Sequence, residues 1–182
     1  MTVGERIEKF TNSMPFNFKA TIPCDVDYII DRLQAEGFFT APASANHHGN
    51  YEGGLFDHSF EVAKALVQLT ERNHLLWTIP RSPWVVGMFH DICKIDCYKP
   101  AIYGEGYEYT DDTLYKGHGD KSVMLLSSYF ELTPEEAASI RYHMGAFTDK
   151  DEWKYYTRAV KRFPNVLWTH HADMIASQIK GV

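Results

Sequence analysis

The sequence contains no run approaching the ~20 apolar residues that a membrane-spanning helix needs, and its opening residues, MTVGERIEKF, lack the basic start and apolar stretch of a signal peptide. The expectation is a cytoplasmic protein with no membrane partner. Cysteine is scarce as well. Cys24, Cys93 and Cys97 form an odd set without a CxxC pair, which argues against a secreted disulfide framework and against a structural zinc finger. Cys93 and Cys97 lie at helical spacing and read as small buried apolar residues rather than ligands. No HExxH is present, so a zincin metalloprotease is not indicated. Internal repeats, low-complexity tracts and long Gly/Ser/Pro linkers are also missing, which leaves nothing to mark a domain boundary. Residues 1–182 therefore read as one domain. Positive charge is in short supply: the formal net charge of −6 argues against a broad basic surface for long nucleic acid, while a free nucleotide or a short strand remains open.

What the sequence does have is helical periodicity. Phe56, Phe60, Ala63, Leu66, Val67 and Thr70 make one face of a helix beginning just after Gly53-Gly54. Pro83 opens a second helix, PWVVGMFHDICK, at a position where a missing amide proton costs nothing. A third runs from about Asp120 to Phe130. Thr133, Pro134 and Glu136 spell a capping box for a fourth, and two more cover DEWKYYTRAVKRF and PNVLWTHHADMIASQI. Residues 1–40 predict an extension of two short helices, about Val3–Ser13 and Asp25–Glu36, the second ended by Gly37. Between Ile95 and Lys116, alternating aromatics around Gly104-Glu105-Gly106 predict a β-hairpin or an ordered loop. The fold class is all-α.

Nine histidines are present, and His90-Asp91 is the most informative position. It ends an apolar run where an inward carboxylate is costly unless paired or bound to metal. Lys94 follows at helical spacing, near the same face. His58, His118, His143 and Asp173 occur on further helix-like segments, each beside small residues or an apolar face. Imidazoles and carboxylates spread over several helices suit zinc, iron, manganese, nickel or cobalt rather than calcium. Asp57, about 100° from His58 around its helix, reads as a surface or helix-start charge, and His74 as structural. His47 and His48 precede the Gly53-Gly54 turn as candidate substrate contacts or solvated loop residues. His170 or His171 can support a ligand from behind. Tyr98, Tyr103, Tyr107, Tyr109 and Tyr115 can stack on a base or form a packed hairpin face, with Lys99, Lys116 and Lys121 the nearest cations.

The ordered segments PASANHHGNYEGGLFDHSFEVA, FHDICKI, KGHGDKS, YHMG and THHADMIAS resemble the HD-domain superfamily of metal-dependent phosphohydrolases, most closely the HD domain of bacterial 3′-to-5′ exoribonucleases. The similarity runs from about Pro42 to Ile179. It implies an HD-domain helical bundle in which His58, His90, Asp91 and Asp173 hold a first divalent cation, while His118 and His143 complete a second site with Asp91 bridging. Where relatives often carry two consecutive histidines, this chain has His143-Met144-Gly145 and offers one. The exonucleases' additional nucleic-acid-binding module has no counterpart within these residues.

The expected activity is hydrolysis of a phosphoester of a nucleotide or short single-stranded nucleic acid by metal-activated water. Asp91 and Lys94 are the candidate catalytic residues, Lys94 meeting a phosphate oxygen or the leaving group as a fixed positive charge. Lys94, His47, His48 and Tyr103 are the candidate substrate contacts, and one or two divalent transition metal ions are the cofactor. The alternative is a non-catalytic, metal-stabilised signalling or binding module on the same scaffold. No protein partner is evident.

Overall fold

Thr2 accepts a hydrogen bond from the Glu5 amide at 3.2 Å, while the Glu5 carboxylate accepts from the Thr2 amide at 2.7 Å. This capping box starts α1 (Val3–Ser13). The computed structural model of the chain describes residues 1–15, 18, 25–110, 112–115 and 117–182; Cys24 and Lys116 lie outside the described residues. Asp25 caps α2 (Val26–Ala35), which ends as predicted at Gly37. There a φ of +90° lets the Gly37 and Phe38 amides donate back to the Gln34 and Leu33 carbonyl oxygens, a stop that favours glycine. α3 (Gly54–Asn73) and α4 (Ser82–Phe89) follow, then a 3₁₀ turn over Ile92–Asp96. The Ile95–Lys116 stretch contains an antiparallel hairpin, β1 (Tyr98–Pro100) and β2 (Tyr107–Tyr109), with Tyr98 opposite Tyr109. α5 (Gly119–Ser127) precedes α6 (Pro134–Arg141), which opens on the predicted Thr133–Glu136 capping box. Two 3₁₀ turns, Gly145–Phe147 and Lys150–Glu152, lead to α7 (Trp153–Arg162) and α8 (Asn165–Met174). The last turn, Ile175–Lys180, widens into a π-helix. The fold is all-α with a small hairpin, and among the described residues no helix is long and apolar enough to cross a membrane.

α3 and α4 form the central packed pair. They approach so closely that a Cβ on Gly87 would lie 2.4 Å from the Cα of Ala63. Around them, fully buried aromatics meet at tilted or edge-to-face angles, the arrangement their quadrupoles favour. Phe89 is the hub. Its ring centroid lies 5.8 Å from Phe38 and Trp84 and 6.1 Å from Phe10 and Phe130. Because Phe89 immediately precedes His90, this aromatic cluster fixes where His90-Asp91 begins.

The N-terminal extension is clamped to the start of α3 by an ion pair. Asp57 is the expected helix-start charge, in the first turn of α3, but it is mostly buried rather than at the surface. Its carboxylate accepts from Arg6 at 3.1 and 3.2 Å, and Arg6 also donates to the Glu52 carbonyl at 2.9 Å. The Arg6 guanidinium occupies the space beside Gly53, where a Cβ would come within 2.1 Å of it. A buried charge needs this kind of pairing, and no periodicity reports a partner 51 residues away.

Replacing Gly87 with alanine forces α3 and α4 apart in a core with no room to relax. Gly87→Ala is expected to destabilise the protein by about 1–3 kcal/mol, the usual cost of overpacking, measured as the shift in a denaturant-unfolding midpoint. A change below about 0.5 kcal/mol, the scale of a neutral surface substitution, would contradict the contact.

Candidate metal centre

The predicted ligands come from five places in the fold. His58 lies in the second turn of α3, His90 and Asp91 just after α4, His118 before α5, His143 just after α6, and Asp173 near the end of α8. The sequence reading carries one helix through 83–94, but the structure ends it at Phe89, with Asp91 at φ −106° and ψ 15° and a 3₁₀ turn beyond. The break serves the site. On an uninterrupted α-helix, His90 and Asp91 would point about 100° apart; here both reach the same cluster. In a 3₁₀ turn, side chains three apart eclipse, which brings Lys94 Nζ to 2.7 Å from Asp91 Oδ2.

Asp91 is the centre. Its Oδ2 lies 3.7 Å from His58 Nε2 and 3.5 Å from His90 Nε2; its Oδ1 lies 2.7 Å from His118 Nε2 and 3.3 Å from His143 Nε2. Asp173 Oδ1 is 3.3 Å from His58 Nε2. Three of the rings are oriented from behind by main-chain oxygens: His58 Nδ1 lies 2.8 Å from the Val182 oxygen, His90 Nδ1 2.9 Å from Gly87 and His143 Nδ1 2.7 Å from Ile140. These oxygens only accept, so each Nδ1 carries a proton, and in the neutral form of the ring Nε2 presents a lone pair to the cluster.

With the rings neutral, like faces like. His58 Nε2 and His90 Nε2 are then two lone pairs 3.3 Å apart, and the buried His143 Nε2 and Asp91 Oδ1 have no hydrogen-bond partner. His118 Nε2 comes to 2.7 Å from the same Oδ1 without making a hydrogen bond to it. Converging acceptors that cannot satisfy one another are costly when buried, and a cation among them removes the conflict. His58, His90 and Asp91, and likewise His90, His143 and Asp173, have ligand atoms mutually within 4.8 Å. Imidazole and carboxylate donors fit a divalent transition metal, and the backbone-anchored rings are the outer support such ligands usually have.

A third group, Asp91, Cys93 and His118, is equally close; burial, assisted by Asp91, pushes the Cys93 thiol up to about 12, so without a cation the sulfur faces His118 as a neutral thiol. Burial alone would also raise Asp91, yet Lys94, His90 and His118 outweigh it and hold its carboxyl well below the usual range. Asp173 behaves alike: burial opposes ionisation, but the contact with His58 brings it down to about 2. Desolvation works against the Lys94 ammonium, and Asp91 more than offsets it, so Lys94 stays charged.

Above the cluster opens a cavity of about 380 Å³, within the size of small-molecule sites. Asp91, Lys94, His118, His143 and Asp173 line it, as do His47 and His48, so the structure brings these predicted residues together. His48 is half-buried, its ring centroid 5.0 Å from that of His58; desolvation, then the neighbouring His58 and Lys94, depress its pKa. His47 is exposed. Tyr103 is not part of the wall: it sits between the hairpin strands, 92% exposed. Tyr98 and Tyr109, ring centroids 5.0 Å apart, line the cavity instead. Lys99 pairs with Glu108 and Lys121 with Asp96, leaving Lys94 as the one ammonium among the described lining residues. Sequence reasoning missed Met144, Phe147, Met174 and Gln178, which also line the cavity; Phe147, next to the YHMG motif, carried the readable signal of an aromatic beside a ligand. His170 supports the site through its Nδ1, 2.9 Å from the His143 carbonyl, and packs where a Cβ on Gly145 would approach it to 2.6 Å. His171 is exposed.

No protein-family model, curated protein or solved structure matches the chain.

The centre predicts a cation-dependent stability. Manganese, cobalt or zinc at about 100 times its Kd should stabilise the native state by about 2.7 kcal/mol, seen as a raised thermal-unfolding midpoint, and Asp91→Asn should remove that response. Equal shifts in the variant and the parent would rule out Asp91 as a ligand.

Proposed function

We propose that the chain is a metal-dependent phosphohydrolase of the HD type, hydrolysing a phosphoester of a nucleotide or short single-stranded nucleic acid. The observation that carries this reading is Asp91, one carboxylate in contact with four imidazoles and the Lys94 ammonium on the floor of a cavity. His58, His90, Asp91 and Asp173 would hold one cation, and Asp91, His118 and His143 a second. Such an ion, when bound, lowers the pKa of water and offsets charge developing on phosphoryl oxygens.

The protein's own groups do the rest. Among the described lining side chains, two carboxylates oppose one ammonium, so the floor takes an anion only once cationic charge has been added. Lys94, held by Asp91, presents a fixed positive charge one turn from the ligands, where it meets a non-bridging phosphate oxygen or the leaving group. The wall divides in two. Histidines and carboxylates lie at the floor, whereas Tyr98, Tyr109, Met144, Phe147 and Met174 offer flat or polarisable surface, which suits a base and sugar better than a second phosphate.

The test is a panel of nucleoside mono- and triphosphates, cyclic nucleotides and short oligonucleotides with manganese. Turnover is expected for at least one class, with Asp91→Ala inactive and Lys94→Ala slower by about 10²–10³-fold in kcat, the effect of removing one preorganised charge at a transition state. Should metal-loaded protein turn over nothing while Asp91→Ala merely lowers stability, the centre is that of a metal-stabilised binding module.

A further inference from the structure

His118 differs from the other three cluster histidines. Their side chains are 0–1% exposed, whereas His118, between Gly117 and Gly119, is 34% exposed. His58, His90 and His143 have Nδ1 against a main-chain oxygen; His118 has Nδ1 3.3 Å from the sulfur of Cys93. Cys93 is itself fixed, 1% exposed, its amide donating to Ser122 Oγ at 3.2 Å. Ser122, one turn along α5, donates its amide to the His118 carbonyl at 3.2 Å. A closed circuit thus joins the 3₁₀ turn after Asp91 to the start of α5. On its far side, a Cβ on Gly119 would lie 2.0 Å from the Arg141 carbonyl oxygen, so the main chain beside His118 has little freedom and the ring remains the adjustable part.

We propose that Cys93 is the positioning residue for the outer cation of the centre: its sulfur accepts from His118 Nδ1–H and so turns Nε2 toward Asp91. This rests on the two-cation reading given above. A thiol sulfur is a weak acceptor compared with a carbonyl oxygen, so His118 is held less firmly than the other three rings. The two positions are consequently unequal. The inner one, built on buried backbone-anchored rings, fills first, and the outer one fills second, more weakly, with an affinity that Cys93 sets.

Calorimetric manganese titration of the full chain, compared with Cys93→Ala and Cys93→Ser, tests this. The parent should show two unequal steps. In Cys93→Ala the second should weaken by about 10–100-fold, the usual consequence of losing a ligand's outer partner, with the first unchanged; the serine hydroxyl, which can also accept, should restore most of the loss. Two unchanged steps in Cys93→Ala, two steps that weaken together, or a serine variant no better than alanine would each overturn the assignment. If the parent binds one cation or none, the two-cation reading fails, and the His118 contact is then read by ¹⁵N NMR of metal-free protein. A single Nδ1–H tautomer that becomes mixed in Cys93→Ala keeps the positioning role, and identical ring spectra in both remove it.

Discussion

One buried carboxylate sets the terms for the rest of the molecule. Asp91 is almost withdrawn from water, and an ionised group in that position must be compensated on the spot. Lys94 supplies one compensation, three residues away through a tight turn. The imidazoles supply no charge while neutral, yet they surround both carboxylate oxygens. A purely structural site would turn N–H groups toward Asp91. Here the Nδ1 protons of three rings point the other way, to main-chain oxygens.

Holding that geometry requires elements distant in sequence to approach closely, and glycines mark the contacts. A Cβ on Gly54 would meet the Gly49 carbonyl oxygen at 2.0 Å, one on Gly87 the Ala63 backbone, one on Gly119 the Arg141 carbonyl oxygen, and one on Gly145 the ring of His170. Each lies within four residues of His58, His90, His118 or His143. Three of the four ligand segments are therefore seated against neighbouring backbone and the fourth against a buttressed ring, which gives a preorganised site its precision. The aromatic cluster around Phe89 plays the same part from the core side, fixing the last helical residue before His90-Asp91.

Much of this was legible in the sequence because the signals were local. The Thr133 capping box, the Gly37 stop and the alternating tyrosines each report a short-range preference, and the structure contains all three elements. The ligand candidates were readable for a different reason: a histidine or carboxylate beside an apolar face is expensive, and several such places in one chain imply that they meet. What could not be read was anything set by distant packing. The helix break after Phe89 depends on backbone angles that periodicity does not encode, and the Arg6–Asp57 pair on a neighbour 51 residues away. Tyr103 and Tyr109 look equivalent in sequence, yet the hairpin register turns Tyr109 to the cavity and leaves Tyr103 at the tip.

The charge balance of the cavity links the structural argument to the chemical one. With Asp91 and Asp173 ionised and Lys94 protonated, the described lining residues carry one net negative charge when the histidines are neutral. An anionic substrate would be repelled by such a floor. One dication reverses the sign and a second reinforces it, and bound ions are commonly the largest charges in a site. The acidic balance of the whole chain is then no obstacle to a phosphate ligand, because the relevant field is generated within a few ångströms of Asp91. By the same logic, Lys94 alone is insufficient. Its ammonium is already committed to Asp91 at 2.7 Å, so its attraction for phosphate becomes available only as a cation takes over the carboxylate it now neutralises.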